Sequence, residues 1–163
     1  MRKTAVLSML TGAALMLSYV ESLIPLAPGI PGIKLGLANL AVVLCLYLYG
    51  WKEALSVNVA RVLLSSLLFG NLYVVIYSLA GAFFSFAAMT AAKKMKGLSI
   101  VGVSVCGGVF HNVGQLLTAM AVVETVWVGY YLPWLLIAGC ITGIFIGLAA
   151  GEVKKHLGSI ERE

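Results

Sequence analysis

Arg61 stands out first for its chemistry, because it is a cation inside an apolar stretch that covers residues 53–69. It lies eight residues after Glu53, which is about 12 Å along a helix at about 1.5 Å per residue. Asn58 precedes it by three residues and therefore shares its helical face. An ionisable side chain in such a stretch is costly and marks a functional candidate. Two interpretations remain open: Arg61 binds an anionic ligand, or it bonds Glu21 or backbone carbonyls and holds helices together.

A second polar group lies in the apolar stretch 98–123, within the run Gly107–Gln115. His111 and Gln115 are four residues apart and Asn112 and Gln115 three apart, so we expect these side chains to point to one side of a helix. The three glycines of the run remove bulk, which would admit either a ligand or a neighbouring helix. Hydrogen bonding between helices is the alternative to ligand binding. One His without a second His, Cys or carboxylate at ligand spacing makes a weak metal site, so no metal is predicted.

The segment 25–36 cannot form a regular helix, because its three prolines recur at every third position. Irregular backbone at membrane depth is tolerated only against protein or a water-filled cavity. We therefore expect a cap over a pocket on the outer side, with a plain solvated loop as the alternative. Glu21 precedes the segment, Lys34 lies near its end and Asn39 follows it. Together with Arg61, the positive groups outnumber the carboxylate, which favours an anionic ligand.

A set of residues able to catalyse a reaction is missing from the sequence. All six acidic residues are Glu and there is no Asp, whereas Mg²⁺-diphosphate chemistry needs several clustered carboxylates. The phosphate-loop pattern G-x-x-x-x-G-K-[ST] is also absent. We therefore expect a protein that is not an enzyme, that uses no cofactor, and that depends on a partner for any energy it requires.

The elements that position these residues follow from the composition. Hydrophobic residues make up 61% and charged residues 10% of the 163 residues, and the mean hydropathy is +1.04. So few charges cannot cover a water-facing surface, which excludes a soluble globular protein. Apolar runs of membrane-spanning length predict one all-α integral membrane domain of six helices, with an outer Pro/Gly loop between the first two. The predicted spans are 4–24, 35–50, 53–69, 72–92, 98–123 and 131–151.

The distribution of basic residues predicts the orientation of this bundle. With six spans both termini share one side, and nine basic residues fall there against Lys34 alone on the other. This bias places both termini in the cytoplasm and the protein in the cell membrane. The net charge of +5 is therefore explained by topology, and no nucleic-acid partner is predicted. The nine residues are Arg2, Lys3, Lys52, Lys93, Lys94, Lys96, Lys154, Lys155 and Arg162.

Small residues at four-residue spacing mark two helices for close contact. The sixth predicted helix carries four such glycines, for which packing inside the bundle is expected: Gly139, Gly143, Gly147 and Gly151. The first carries Thr4, Ser8 and Gly12 on one stripe, and this helix could instead present a flat face to another subunit.

The stretch Glu21–Val43, ESLIPLAPGIPGIKLGLANLAVV, resembles the Gx transporter family, often labelled heptaprenyl diphosphate synthase component I. The resemblance covers essentially the whole chain, including the fifth helix with His111, Asn112 and Gln115. Members are similar to the substrate-binding S components of energy-coupling-factor transporters. That similarity implies six helices, cytoplasmic termini and a pocket toward the outer face. It also implies docking on a coupling protein that carries two ATPases, through small residues of the first helix that correspond to Ser8 and Gly12 here.

Three functions compete at this point. The leading hypothesis is a membrane substrate-binding subunit that captures a small anionic or amphipathic ligand, such as a vitamin or a quinone or isoprenoid precursor. Its predicted ligand-binding residues are Glu21, Lys34, Asn39, Asn58, Arg61, His111, Asn112 and Gln115. The second is a non-catalytic scaffold bound to a polyprenyl diphosphate synthase or to a flavin- or quinone-linked membrane complex. The third, a membrane enzyme acting alone, lacks any acid/base or metal set.

Overall fold

The computed structural model describes residues 2–23, 36–69 and 72–160. Within these ranges the chain forms six α-helices and no strand, which confirms the predicted all-α class. The predicted Pro/Gly loop and Lys34 lie outside the described residues, except for Gly36 at the loop's end. A short 3₁₀ turn, Val126–Tyr131, precedes the last helix. The helices are α1 Arg2–Leu23, α2 Asn39–Leu48, α3 Trp51–Phe69, α4 Leu72–Lys94, α5 Ile100–Val122 and α6 Leu132–Ile160.

Four segments of the described chain are long and apolar enough to cross a membrane: Lys3–Leu23, Val75–Lys94, Ile100–Val123 and Val126–Leu157. The helix α3 has 19 residues, but Lys52, Glu53, Asn58 and Arg61 lower its hydropathy. The helix α2 has 10 residues, which is about 15 Å against a hydrocarbon core of about 30 Å. It is therefore shorter than the predicted span 35–50.

The short helix α2 lies at the centre of the bundle, where it contacts α1, α3, α5 and α6. Seven of its 10 residues are buried, and it is apolar on every side after Asn39, as expected for a fully enclosed helix. Gly50, with φ +108, follows the last turn and lets the chain reverse into α3, a conformation that costs glycine little. The most deeply buried side chains around α2 are Val42, Val43, Leu46, Val57, Met89 and Val103.

Glycines allow α5 and α6 to approach at backbone distance. A Cβ added to Gly108 would lie 2.5 Å from the carbonyl oxygen of Gly139, and one added to Gly143 would lie 2.6 Å from Cα of Val105. At Gly147 an added Cβ would meet Cα of Val101 at 2.6 Å. The glycine stripe of α6 therefore packs inside the bundle, as the sequence predicts. The glycines of α5 likewise admit neighbouring helices: Gly114 faces the carbonyl oxygen of Ala80 on α4.

The lysines gather at one end of the bundle, which we call the basic end. Lys3 Nζ lies 2.6 Å from Glu53 Oε1, which joins the starts of α1 and α3. Lys93 and Lys154 both contact the ring of Tyr47, which joins the ends of α2, α4 and α6. Since Tyr49 and Gly50 alone separate α2 from α3, these contacts lie at the same end. The positive-inside bias predicts that this end faces the cytoplasm.

Candidate functional site

The first residue of α2, Asn39, is placed by a tight turn. Gly36 has φ +71, a left-handed conformation that glycine adopts readily, and its carbonyl accepts the N–H of Asn39 at 2.8 Å. The N–H of Gly36 donates to Glu21 Oε1 at 2.6 Å, which ties the turn to the end of α1. The Asn39 side chain is therefore buried at the start of the central helix α2, which contacts α1, α3, α5 and α6.

Arg61 reaches Asn39 from the middle of α3. Its Nη2 donates to Asn39 Oδ1 at 3.0 Å and its Nε donates to Asn58 Oδ1 at 3.1 Å. Asn58 in turn donates from Nδ2 to the carbonyl oxygen of Ala82 on α4 at 3.4 Å. The Glu21 carboxylate attracts the guanidinium electrostatically. Arg61 is only 8% exposed. Within the described residues, its hydrogen bonds are therefore accepted by neutral amide oxygens.

The polar residues of α5 divide between its two neighbours. Asn112 Nδ2 donates to the carbonyl oxygen of Leu135 on α6 at 2.8 Å. His111 and Gln115 pack instead against α4 at Gly81, where an added Cβ would lie 2.8 Å from His111 Cε1 and 2.9 Å from Gln115 Cγ. Asn112 thus forms the interhelical bond that sequence reasoning kept as an alternative. Gln115 is buried, and its Oε1 has no hydrogen-bond partner within the described part of the chain.

A small cavity links the polar residues of α3 with those of α5, which lie far apart in the sequence. Because Asn39 both lines this cavity and accepts from Arg61, the residues of α3 and α5 belong to one polar cluster, which comprises Glu21, Asn39, Asn58, Arg61, His111 and Asn112. About 10 Å³ is open to the centre of a water molecule, which is room for about one water. The cavity is lined by Gly36, Asn39, Ser104, Gly108, His111, Asn112, Thr142, Gly143 and Ile146.

A much larger groove runs between α3 and α4. Its volume is about 470 Å³, within the range of small-molecule sites, and Phe83 on its wall is 71% exposed, so the groove opens sideways from the bundle. Asn58 is the polar residue of its lining and also bonds Arg61, so the α3–α4 groove ends at the polar cluster. The lining residues are Leu55, Asn58, Val59, Val62, Leu79, Ala82, Phe83, Phe86 and Ala87.

Sequence reasoning missed three polar or small residues at this site and the groove itself. Thr142 and Ser104 line the small cavity, and Gly81 makes room for His111 and Gln115. The run Ala80-Gly81-Ala82 is a signal for close helix packing that could have found Gly81. Thr142 and Ser104 carry no comparable signal, because single hydroxyl residues are frequent in membrane helices.

Ser8 and Gly12 lie away from the polar cluster. Ser8 is exposed on α1, and a Cβ added to Gly12 would have no atom within 4 Å, so this face of α1 is open. Lys34 lies outside the described residues. Among the residues that the structure describes, no three His, Cys, Asp or Glu side chains are grouped to hold a metal ion.

Most of the chain matches a known protein family. The model of the family described as heptaprenyl diphosphate synthase component I matches residues 10–153. No curated protein and no solved structure matched the sequence. The matched segment contains every residue of the polar cluster and all six helices in whole or in part. The described residues form apolar helices long enough to cross a membrane, and the family model matches most of the chain, so this is a membrane protein that belongs to the heptaprenyl diphosphate synthase component I family.

Proposed function

We propose that this protein is a non-catalytic, membrane-embedded subunit that binds an amphipathic anion. The anionic head group bonds Arg61, and the apolar tail lies in the α3–α4 groove. The observation that carries the proposal is the position of Asn58, which lines the groove and accepts a hydrogen bond from Arg61. A single ligand can therefore reach both the apolar walls and the buried cation.

The chemistry of Arg61 favours an anion in this position. Its acceptors, Asn39 and Asn58, are neutral, whereas a carboxylate or phosphate can accept two parallel hydrogen bonds and neutralise the charge. Exchange of one amide oxygen for an anionic oxygen would offset part of the cost of a cation at mid-membrane. The apolar groove fits a hydrocarbon tail better than a vitamin with many polar groups, so a quinone or isoprenoid precursor is the favoured class.

A role in transport is the second part of the proposal. The chain has no phosphate-loop motif, so energy would come from a coupling subunit with two ATPases, as in S components. The open face of α1 around Ser8 and Gly12 offers a surface of small residues on which such a subunit could pack. The ligand would then be captured from the outer side, opposite the basic end.

Arg61→Ala tests the ligand site. The wild-type protein, purified from its native membrane in a mild detergent, should carry an amphipathic anion that native mass spectrometry detects as added mass. Loss of the buried cationic partner should weaken binding by roughly thirtyfold or more, so the added mass should disappear. Lys52→Ala is the matched control, because it removes one positive charge from an exposed position at the basic end. An unchanged adduct in Arg61→Ala, with the same elution profile as wild type, would show that Arg61 is structural.

A scaffold for a polyprenyl diphosphate synthase is the second candidate, favoured by the description of the family. Affinity purification of the tagged protein from native membranes distinguishes the transport function from the scaffold function. ATPases and a membrane coupling subunit support transport, whereas a synthase or a flavoprotein supports the scaffold.

The same purification tests whether a partner subunit packs on the open face of α1 around Ser8 and Gly12. Gly12→Leu should reduce recovery of the membrane partner severalfold, because it adds bulk to a flat helix face. Ala149→Leu makes a comparable increase in size on an exposed face of α6 and serves as control. Equal recovery with both variants would place the docking surface elsewhere.

A further inference from the structure

Two lysines converge on one aromatic ring at the basic end. Lys93 Nζ, from the last turn of α4, lies 4.9 Å from the centroid of the Tyr47 ring. Lys154 Nζ, from α6, lies 4.8 Å from the same centroid. Tyr47 belongs to the last turn of α2 and is half-buried against the hydrophobic core, so its ring is held in place where both lysines contact it. Both lysines are exposed, so the site is open to a ligand.

The attractive contacts around these lysines come from dipoles and not from charges. Lys93 Nζ donates to the carbonyl oxygen of Leu46 in the last turn of α2, where the helix dipole carries about half a negative charge. The face of the Tyr47 ring adds a second weak attraction. Two full positive charges thus meet partial negative charges whose sum is smaller.

The two ammonium groups also repel each other. The distances of 4.9 and 4.8 Å to one centroid place them within about 10 Å of each other, which is about one Debye length at 0.1 M salt. The repulsion would be relieved by an anion placed between them.

No carboxylate of the described chain forms a salt bridge with either lysine. Glu53 pairs with Lys3 at 2.6 Å, and Glu21 accepts from Gly36 at the opposite end of α1. Glu152 precedes Lys154 by two residues, a spacing that puts the two side chains on different faces of α6. Within residues 2–23, 36–69 and 72–160, neither Lys93 nor Lys154 forms an ion pair.

We propose that Lys93, Lys154 and Tyr47 form a binding site for a phosphate group at the basic end of the bundle. Basic pockets between membrane helices on the cytoplasmic side are suited to phosphate-bearing head groups. The favoured source is an anionic phospholipid, because apolar side chains exposed beside the lysines would contact its acyl chains. These are Met95, Leu98, Val153 and Leu157. A soluble phosphate ester shares the same head-group chemistry, and the experiment separates the two sources.

The test uses purified full-length protein in a neutral detergent and measures the shift in melting temperature. One arm titrates phosphatidylglycerol against phosphatidylcholine, and the other titrates inorganic diphosphate. Phosphatidylglycerol should stabilise the wild type at concentrations at which phosphatidylcholine does not. The double variant Lys93→Gln/Lys154→Gln should need roughly tenfold or more phosphatidylglycerol for the same shift, while the glutamines keep N–H donors for Leu46.

The matched control is Lys94→Gln/Lys155→Gln, which removes the same charge from adjacent positions of the same two helices. Its response to phosphatidylglycerol should stay within about twofold of wild type, because Lys94 and Lys155 are exposed and do not contact the Tyr47 ring, so their charges are largely screened by solvent and salt. Stabilisation of the wild type by diphosphate alone, lost in the Lys93/Lys154 variant, would support the phosphate site with a soluble ligand. The proposal fails if neither anion stabilises the wild type, or if the control loses as much affinity as the double variant.

Discussion

Asn39→Leu should lower the free energy of unfolding by about 2 kcal/mol, because it removes an acceptor from the buried charge of Arg61. The Nη2 group now donates to Asn39 Oδ1 at 3.0 Å, and both side chains are less than a tenth exposed. Leu keeps the branched skeleton of Asn but is larger, so part of the loss comes from packing and part from the unsatisfied guanidinium. Unfolding by added SDS, followed in the purified protein, measures the effect.

A double-mutant cycle gives this prediction its control. Arg61→Met removes the charge that needs the acceptor, so Asn39→Leu should cost far less in that background than in the wild type. The coupling energy should be about 1–2 kcal/mol, since replacing both partners of a buried pair by apolar groups is much milder than removing one. Additive effects of the two substitutions would contradict a bond that stabilises the bundle.

Gly143→Ala should destabilise the bundle by about 3 kcal/mol, because the new methyl group has no space at the α5–α6 contact. Its Cβ would lie 2.6 Å from Cα and 3.1 Å from N of Val105, and 3.0 Å from the carbonyl oxygen of Ser104. All three are backbone atoms, which cannot rotate away, so the helices themselves must separate. The expected result is a lower melting temperature in detergent, with part of the protein lost during extraction.

Gly151→Ala is the matched control, eight residues later on the same stripe of α6. Its Cβ would meet the side-chain atom Cγ2 of Ile100 at 3.4 Å, a contact that the side chain can accommodate. Because alanine is the better helix former, by about 1 kcal/mol, this variant should be as stable as wild type or slightly more so. A loss of stability equal to that of Gly143→Ala would mean that the glycines act through the helix backbone and not through the α5–α6 contact.

The large features of the fold were predictable because each depends on a pattern within one segment. Long apolar runs predict helices in lipid, and four-residue spacing of Gly139, Gly143 and Gly147 predicts a close helix contact. The sequence does not indicate which helix packs against that stripe. In the structure it is α5. The length of α2 was overestimated, since residues 35–38 and 49–50 are apolar enough to extend the predicted span while the turns around Gly36 and Gly50 end the helix.

The candidate site was predicted residue by residue but not as an arrangement. Arg61 and Asn58 were paired correctly, because two residues three positions apart lie on the same face of a helix. Asn112 was grouped with Gln115 by the same rule, yet its side chain bonds α6 at Leu135 while Gln115 packs against α4. Spacing places two residues on neighbouring positions of one helix, but the positions of the flanking helices decide which partner each side chain meets.

The sequence by itself determined that this is a membrane protein, that its helices are apolar and glycine-rich, and that the buried charge of Arg61 needs a polar or anionic partner. Composition and periodicity are local properties, so they can be read without knowing the fold. Tertiary structure decided that Asn39 joins Arg61 to the cavity beside His111. It also decided that Lys93 and Lys154 meet at Tyr47. These contacts join residues that are 22 (Asn39 and Arg61) to 107 (Tyr47 and Lys154) positions apart in the chain, and they are set by how whole helix faces pack around α2.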